Sequence, residues 1–129
     1  KLVHSKQKVL AVVGDGGFMM NSQELETAVR LKLNVVVLIL NDNAYGFIKW
    51  KQHAYGYPNF GLEYGNPDFV SYAQSYGAKG FKVKKAEELL PTLAQAFKEK
   101  GPVLIECPID YSENKTVWSE ELANLMCPL

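Results

Sequence analysis

Two aspartates stand where a hydrophobic run stops. Asp15 lies in "VLAVVGDGGFMM", residues 9–20, framed by Gly14, Gly16 and Gly17. Asp42 lies in "VVVLILNDNAYG", residues 35–46, between Asn41 and Asn43. If the two runs are strands that lie close together, the carboxylates converge on one cation. A hard divalent ion such as Mg2+ takes oxygen ligands of this kind and leaves coordination positions for phosphate oxygens. Gly16 and Gly17 have no Cβ to keep an anion from their amides, and a helix opening near Asn21 would add its positive end. The chemistry on offer is a metal-diphosphate site.

Each motif alone has a plainer reading. Asp-Gly pairs form turns. Asn and Asp cap helices and tolerate left-handed backbone. The combination points beyond a turn, because each lies at the end of a wholly apolar run and 24 residues separate Gly16 from Asn41. His4 and His53 have no nucleophile beside them in sequence and read as surface or loop residues. Cys107 and Cys127 belong to no CxxC or Cys/His cluster and read as reduced thiols of a cytoplasmic protein.

The elements that must position these aspartates alternate. Val9 to Val13, and Asn34 to Asn41 between its two asparagines, are valine-rich and apolar, as expected of central strands covered on both faces. Between them "NSQELETAVRLK" sets Leu25, Ala28 and Val29 at helical spacing, with Asn21 and Glu24 in the arrangement of a capping box. Residues 52–65, "QHAYGYPNFGLEYG", read as a long ordered loop. "NPDFVSYAQSYG" predicts a helix with Asn66 as N-cap, Pro67 at the first helical position and Gly77 just past its end. A short strand "GFKVKK", a helix within Ala86 to Lys100 and a final apolar strand "GPVLIECPID" complete the pattern. Strands alternating with helices predict a three-layer α/β domain, a parallel sheet with helices on both faces, whose ligands bind beyond the carboxyl ends of the strands.

Composition narrows the function. The 129 residues are 47% apolar and 22% charged, with fourteen basic residues balanced by fourteen acidic ones, which suits one globular domain. Basic residues are scattered except for small groups at 1–8 and 82–85, so no nucleic-acid footprint is present. The longest apolar run, Val35 to Leu40, is far short of the roughly 20 residues that span a bilayer. The chain lacks an initiator Met and reaches its first strand after a few polar residues, so it is expected to be incomplete at its N-terminus.

A GDG followed some 25 residues later by an Asn/Asp-Asn pair, with a helix and an apolar strand between, resembles the cofactor signature of thiamine diphosphate-dependent enzymes. The likeness continues through "GDGGFMMNSQELETAVRL", "LILNDNAYGFIKWKQ", "NPDFVSYAQSYGAKGFKV", "AEELLPTLAQAF" and "GPVLIECPIDYSEN", which look like the carboxy-terminal part of acetolactate synthases. It runs from residue 9 to about residue 114; "KTVWSEELANLMCPL" resembles a family-variable tail.

The resemblance implies a thiamine diphosphate-binding fold, with residues 1–129 forming the C-terminal pyrophosphate-binding domain or a fragment of it. It implies thiamine diphosphate and Mg2+ as cofactors. The metal ligands would be Asp15, Asp42, where many relatives have Asn, and the main-chain carbonyl of Ala44. Gly14, Gly16, Gly17, Tyr45 and Gly46 would line the diphosphate. Phe47 and Ile48 would face the thiazolium and substrate, or, as plain helix residues, the core. Trp50 resembles a pocket residue in type, at a spacing nearer the catabolic, flavin-independent branch.

No residue here is expected to be directly catalytic. The activating glutamate of the family comes from the pyrimidine-binding domain of a partner subunit, and Glu24, Glu26 and Glu63 do not stand at its position. The implied enzyme is a homo-oligomer that condenses two pyruvates, with loss of CO2, to 2-acetolactate. Pyruvate oxidase or another 2-oxo acid decarboxylase would share the motif. A receiver-like Mg2+-binding signalling domain and a noncatalytic fragment are the readings from other classes. The receiver pattern requires adjacent acids after the first strand and a late lysine, whereas Gly14 precedes Asp15 and Pro108 follows the last apolar run.

Overall fold

A computed structural model describes residues 1–111. The tail from 115 to 129, with Cys127, lies outside the described residues. Ten elements follow in order: β1 (Val9–Gly14), α1 (Asp15–Met20), α2 (Glu24–Arg30), β2 (Val35–Asn41), α3 (Gly46–Ala54), α4 (Phe69–Ser75), β3 (Lys79–Lys82), a 3-10 turn (Ala86–Glu88), α5 (Leu89–Ala96) and β4 (Val103–Pro108). The four strands form one parallel sheet in the order β1-β2-β4-β3.

Right-handed crossovers explain where the helices go. The chain moves one way across the sheet from β1 to β2 to β3, then turns back to insert β4 between β2 and β3. Reversal sends the last helix to the opposite face. Leu25 of α2 and Phe69 and Ala73 of α4 therefore pack with Ile39 and Leu104 on one side. Ala96 of α5, joined by Leu89 and Leu93, packs with Val36, Leu38, Val103 and Ile105 on the other. The three expected layers are present. Pro91 is tolerated because it sits in the first turn of α5, where backbone N–H groups have no intrahelical acceptor.

Several local expectations are corrected. Among the described residues β2 is central but β1 lies at the edge of the sheet, with Leu10 41% and Val12 58% exposed. Their side faces the α5 layer, which covers β2 and β4 and does not extend over β1. The helix after β1 opens at Asp15, not near Asn21, and Asn21 closes α1 by donating its backbone N–H to the Phe18 carbonyl. The Asn21/Glu24 capping box does not form, since α2 starts after Gln23 with no side-chain cap. The Gln52 to Gly65 loop is shorter than expected because α3 continues to Ala54. The N-cap of α4 is Asp68, whose carboxylate accepts from Ser71 N at 2.7 Å, and not Asn66. Gly77 lies just beyond this helix at φ +82°, in the left-handed region where its lack of a Cβ matters.

Candidate functional site

Parallel pairing brings the two aspartates together. Val13 is in register with Ile39 and Gly14 with Leu40, so β1 and β2 end side by side and release Asp15 and Asp42 at the same edge of the sheet. Between Asp42 and Ala44 the chain turns through Asn43, at φ +55°. Asn is among the few residues other than Gly that take this geometry readily.

Asp15 is 2% exposed and held by three donors. Its Oδ1 accepts from Gly16 N at 2.9 Å, and its Oδ2 accepts from Asn43 N at 2.9 Å and Asn66 Nδ2 at 2.6 Å. A buried carboxylate needs such partners. Asp42 is half-buried, and burial, then the charge of Asp15, pushes its carboxyl above the ordinary carboxylate value. A weak contact from Ala44 N to Asp42 Oδ1, at 3.4 Å, opposes this in part. Two carboxylates that repel each other across a small gap are what a divalent cation relieves.

The loop before α4 closes over this point. Ala44 and Glu63 form an antiparallel bridge, Tyr45 N donates to Leu62 O at 2.9 Å, and Lys49 pairs with Glu63 at 2.8 Å. That pairing holds the Glu63 carboxyl below its ordinary value. Tyr64 stacks obliquely on Tyr45, ring centroids 4.9 Å apart, and its hydroxyl donates to the Ala44 carbonyl at 3.2 Å. Burial, and next the charge of Asp15, pushes the ionisation of Tyr64 far up, so this hydroxyl stays a donor.

Gly14, Asp15, Gly16, Gly17, Asp42, Ala44, Tyr45, Gly46, Phe47 and Ile48, the residues singled out in the sequence, all line one open cavity of about 290 Å³, together with Leu40 and Tyr111. Phe47 and Ile48 are 63% and 49% exposed, which corrects the core-facing alternative. Two glycines are required by space. A Cβ on Gly16 would lie 2.6 Å from the Tyr64 hydroxyl oxygen, and one on Gly46 would lie 2.2 Å from Asp42 Oδ2. A second cavity, about 660 Å³, shares Asp42, Ala44, Gly46 and Tyr111 and is otherwise walled by residues that include Trp50 and His53. His53 belongs to α3 and is exposed, as a surface residue should be.

Sequence reasoning assigned no site role to Asn66, read there as a helix cap, or to Asn41, Tyr64, Tyr111 and Glu106. Glu106 carried the best available signal, a lone carboxylate in an apolar strand. It is buried between Asn41 Nδ2 and Lys82 Nζ, both 2.9 Å from its Oε1.

The donor set fits a hard cation with a diphosphate. Among the described residues no cluster of three or more His, Cys, Asp or Glu side chains could cage a metal. Two carboxylates and a main-chain carbonyl leave coordination positions open, as Mg2+ with phosphate ligands requires. Gly17 supplies an amide without a Cβ in the first turn of α1, while the amide of Gly16 is already given to Asp15 Oδ1. Among the described residues no helix is long and apolar enough to cross a membrane.

Comparison with known proteins identifies the family. The family profile described as "Thiamine pyrophosphate enzyme, C-terminal TPP binding domain" matches residues 1–107. The chain is 40% identical over 121 residues to an acetolactate synthase of Bacillus subtilis (strain 168), covering 94% of this chain and 21% of that protein. It is 43% identical over 113 residues to a catabolic acetolactate synthase of Raoultella terrigena, covering 88% and 20%. Among solved structures, the thiamine diphosphate-dependent 4-hydroxybenzoylformate decarboxylase of Rhodococcus jostii RHA1 superposes with a TM-score of 0.77 at 30% identity, over 86% of this chain and 22% of that one. The chain thus spans about a fifth of the length of these relatives. A profile match over most of its length, on a sheet that delivers both motif aspartates to one edge, sets aside the receiver-like alternative: the chain belongs to the C-terminal thiamine pyrophosphate-binding domain family of thiamine pyrophosphate enzymes.

Proposed function

We propose that residues 1–129 are the C-terminal domain, or a fragment of it, that holds the magnesium-diphosphate end of thiamine diphosphate in a longer cytoplasmic acetolactate synthase. The observation that carries the reading is the convergence of Asp15 and Asp42 at the ends of neighbouring parallel strands, beside glycines that leave a cavity open. Asp15, Asp42 and the Ala44 carbonyl would hold Mg2+. The amide of Gly17, the Cβ-free backbone at Gly16 and the backbone at Tyr45 and Gly46 would line the diphosphate, with Gly14 at the strand end. Phe47 and Ile48 would present apolar surface to the rest of the cofactor and to substrate. When bound, thiamine diphosphate supplies the electron sink for decarboxylating a 2-oxo acid.

This chain's part is to bind and orient. Among its own glutamates, Glu26 pairs with Arg30, Glu63 with Lys49 and Glu106 with Lys82. The activating glutamate and pyrimidine pocket would come from another domain, contributed by a partner subunit in a homo-oligomer.

Asp15→Ala and Asp42→Ala in the longer enzyme test the site. Each should weaken Mg2+-dependent thiamine diphosphate binding by more than about tenfold, because a direct ligand of a geometrically strict ion is lost. Unchanged affinity in both would refute it. Turnover of pyruvate tests the substrate: acetolactate is the expected product, and acetaldehyde or acetyl phosphate in its place would assign the enzyme to the decarboxylases or oxidases of the family.

A further inference from the structure

Asn66 lies 51 residues from Asp15 in sequence and has been drawn away from the helix terminus where its type suggested it belonged. Its Nδ2 donates to Asp15 Oδ2 at 2.6 Å and stands 3.0 Å from both Asn41 Oδ1 and Asn43 Oδ1. Two hydrogens face three acceptors, and the shortest contact is to the charged one. Charge-assisted bonds are the stronger kind. An amide can present either end, so something must decide which end Asn66 turns toward Asp15.

The decision starts at Glu106, in the middle of the sheet. Its carboxylate only accepts, so the amide of Asn41 must turn its Nδ2 toward it, at 2.9 Å. The Oδ1 of Asn41 then faces the other way, where it accepts from Asn66 Nδ2 and from Asn43 N, each at 3.0 Å. Asn66 is left with its donor end toward Asp15. Lys82 Nζ pairs with the same Glu106 Oε1 at 2.9 Å.

The consequence falls on Asp15. Each carboxylate oxygen has two acceptor positions. Oδ2 spends both, on Asn43 N and Asn66 Nδ2, while Oδ1 spends one, on Gly16 N. Resting on the cation reading above, we propose that Asn66 is a positioning residue: it occupies Oδ2 of Asp15, fixes the carboxylate plane and leaves Oδ1 to the metal. In this role Asn66 is not itself a metal ligand. It acts through Asp15.

The test uses the longer enzyme and reads the Mg2+ concentration that half-saturates thiamine diphosphate binding, by calorimetry. Asn66→Leu keeps the volume and removes the donor; Asn66→Ala gives the same reading with a smaller side chain. Both should raise the Mg2+ requirement by about 10- to 100-fold, the usual effect of removing a partner that orients a ligand. The turnover number at saturating Mg2+ should stay within about threefold of the parent, since excess metal restores the loaded site. Asp68→Ala, which removes the α4 cap without touching Asp15, should lower the melting temperature and leave the Mg2+ requirement unchanged. An unchanged Mg2+ requirement in both Asn66 variants, or an equal rise in Asp68→Ala, overturns the proposal. Asp15→Ala separates the two readings. If it raises the requirement and the Asn66 variants do not, only the role of Asn66 fails; if it too has no effect, the cation site itself fails.

Discussion

Gly46 meets Asp42 so closely that a Cβ on the glycine would lie 2.2 Å from Asp42 Oδ2. The first residue of α3 is thus shaped by a carboxylate four residues before it. A Gly46→Ala variant has to push Asp42 aside or shift the start of the helix. The expected cost is about 1–3 kcal/mol of stability, with loss of Mg2+-dependent cofactor binding. Gly80→Ala is the companion, because its Cβ would lie 2.6 Å from the Val70 Cα, remote from the aspartates. It should lose at least as much stability, because the backbone of Val70 cannot step aside as a side chain can, and retain binding in what remains folded. Thermal denaturation with calorimetry reads both, and retained cofactor binding in Gly46→Ala would contradict the close approach.

Asp42 makes the metal-free protein sensitive to pH. Its folded-state pKa is raised by burial and by Asp15, so folding favours the protonated form. The contribution is full below the ordinary value of 3.8 and is lost as pH rises through the folded value. In the absence of divalent cations Asp42→Asn should therefore flatten this part of the profile and add about 1 kcal/mol or less near neutrality, since Asp42 is partly open to solvent. Glu63 and Asp68 are shifted the opposite way in both proteins, so the difference between profiles isolates Asp42. Denaturant titrations from pH 4 to 7 in chelator would show it, and parallel profiles would argue against the repulsion.

Removing the cation from the Glu106 pair should cost more than a surface ion pair does. Lys82→Met leaves a buried carboxylate with Asn41 alone and is expected to lower stability by about 1–3 kcal/mol, below the range for a wholly buried pair because Lys82 is half in water. Lys82→Met with Glu106→Leu should recover part of the loss. Chemical denaturation of the four proteins in a double-mutant cycle gives the coupling, and additive losses would show that the pair is not coupled.

The 129-residue chain by itself should form no acetolactate and bind thiamine diphosphate weakly or not at all. Asp15, Asp42 and Ala44, the proposed metal ligands, line an open cavity, and Phe47, Ile48, Tyr55, Tyr57 and Phe60 are exposed along α3 and the following loop. An apolar surface of this kind favours self-association. Calorimetry with Mg2+ and thiamine diphosphate, a pyruvate assay and sedimentation check the three expectations, and tight binding or acetolactate from the isolated chain would show a self-contained site.

The amino-acid sequence alone determined the alternation of elements, because apolar runs and helical spacing are local patterns that survive any reasonable packing. It also determined the two aspartates and their glycines, since a charge ending an apolar strand and a residue without a Cβ are recognisable without a partner. The tertiary structure decided everything that depends on which segments become neighbours. Val9 to Val13 reads like Val35 to Leu40, yet only the sheet order makes one an edge and the other central. Asn66 shows the same limit at the site. Asn-Pro ahead of an apolar run has the local chemistry of a helix start, and Asp68 competes for that role with equal right. A carboxylate 51 residues away decides between them, since a charged acceptor in a buried place attracts an amide more strongly than an exposed helix end does.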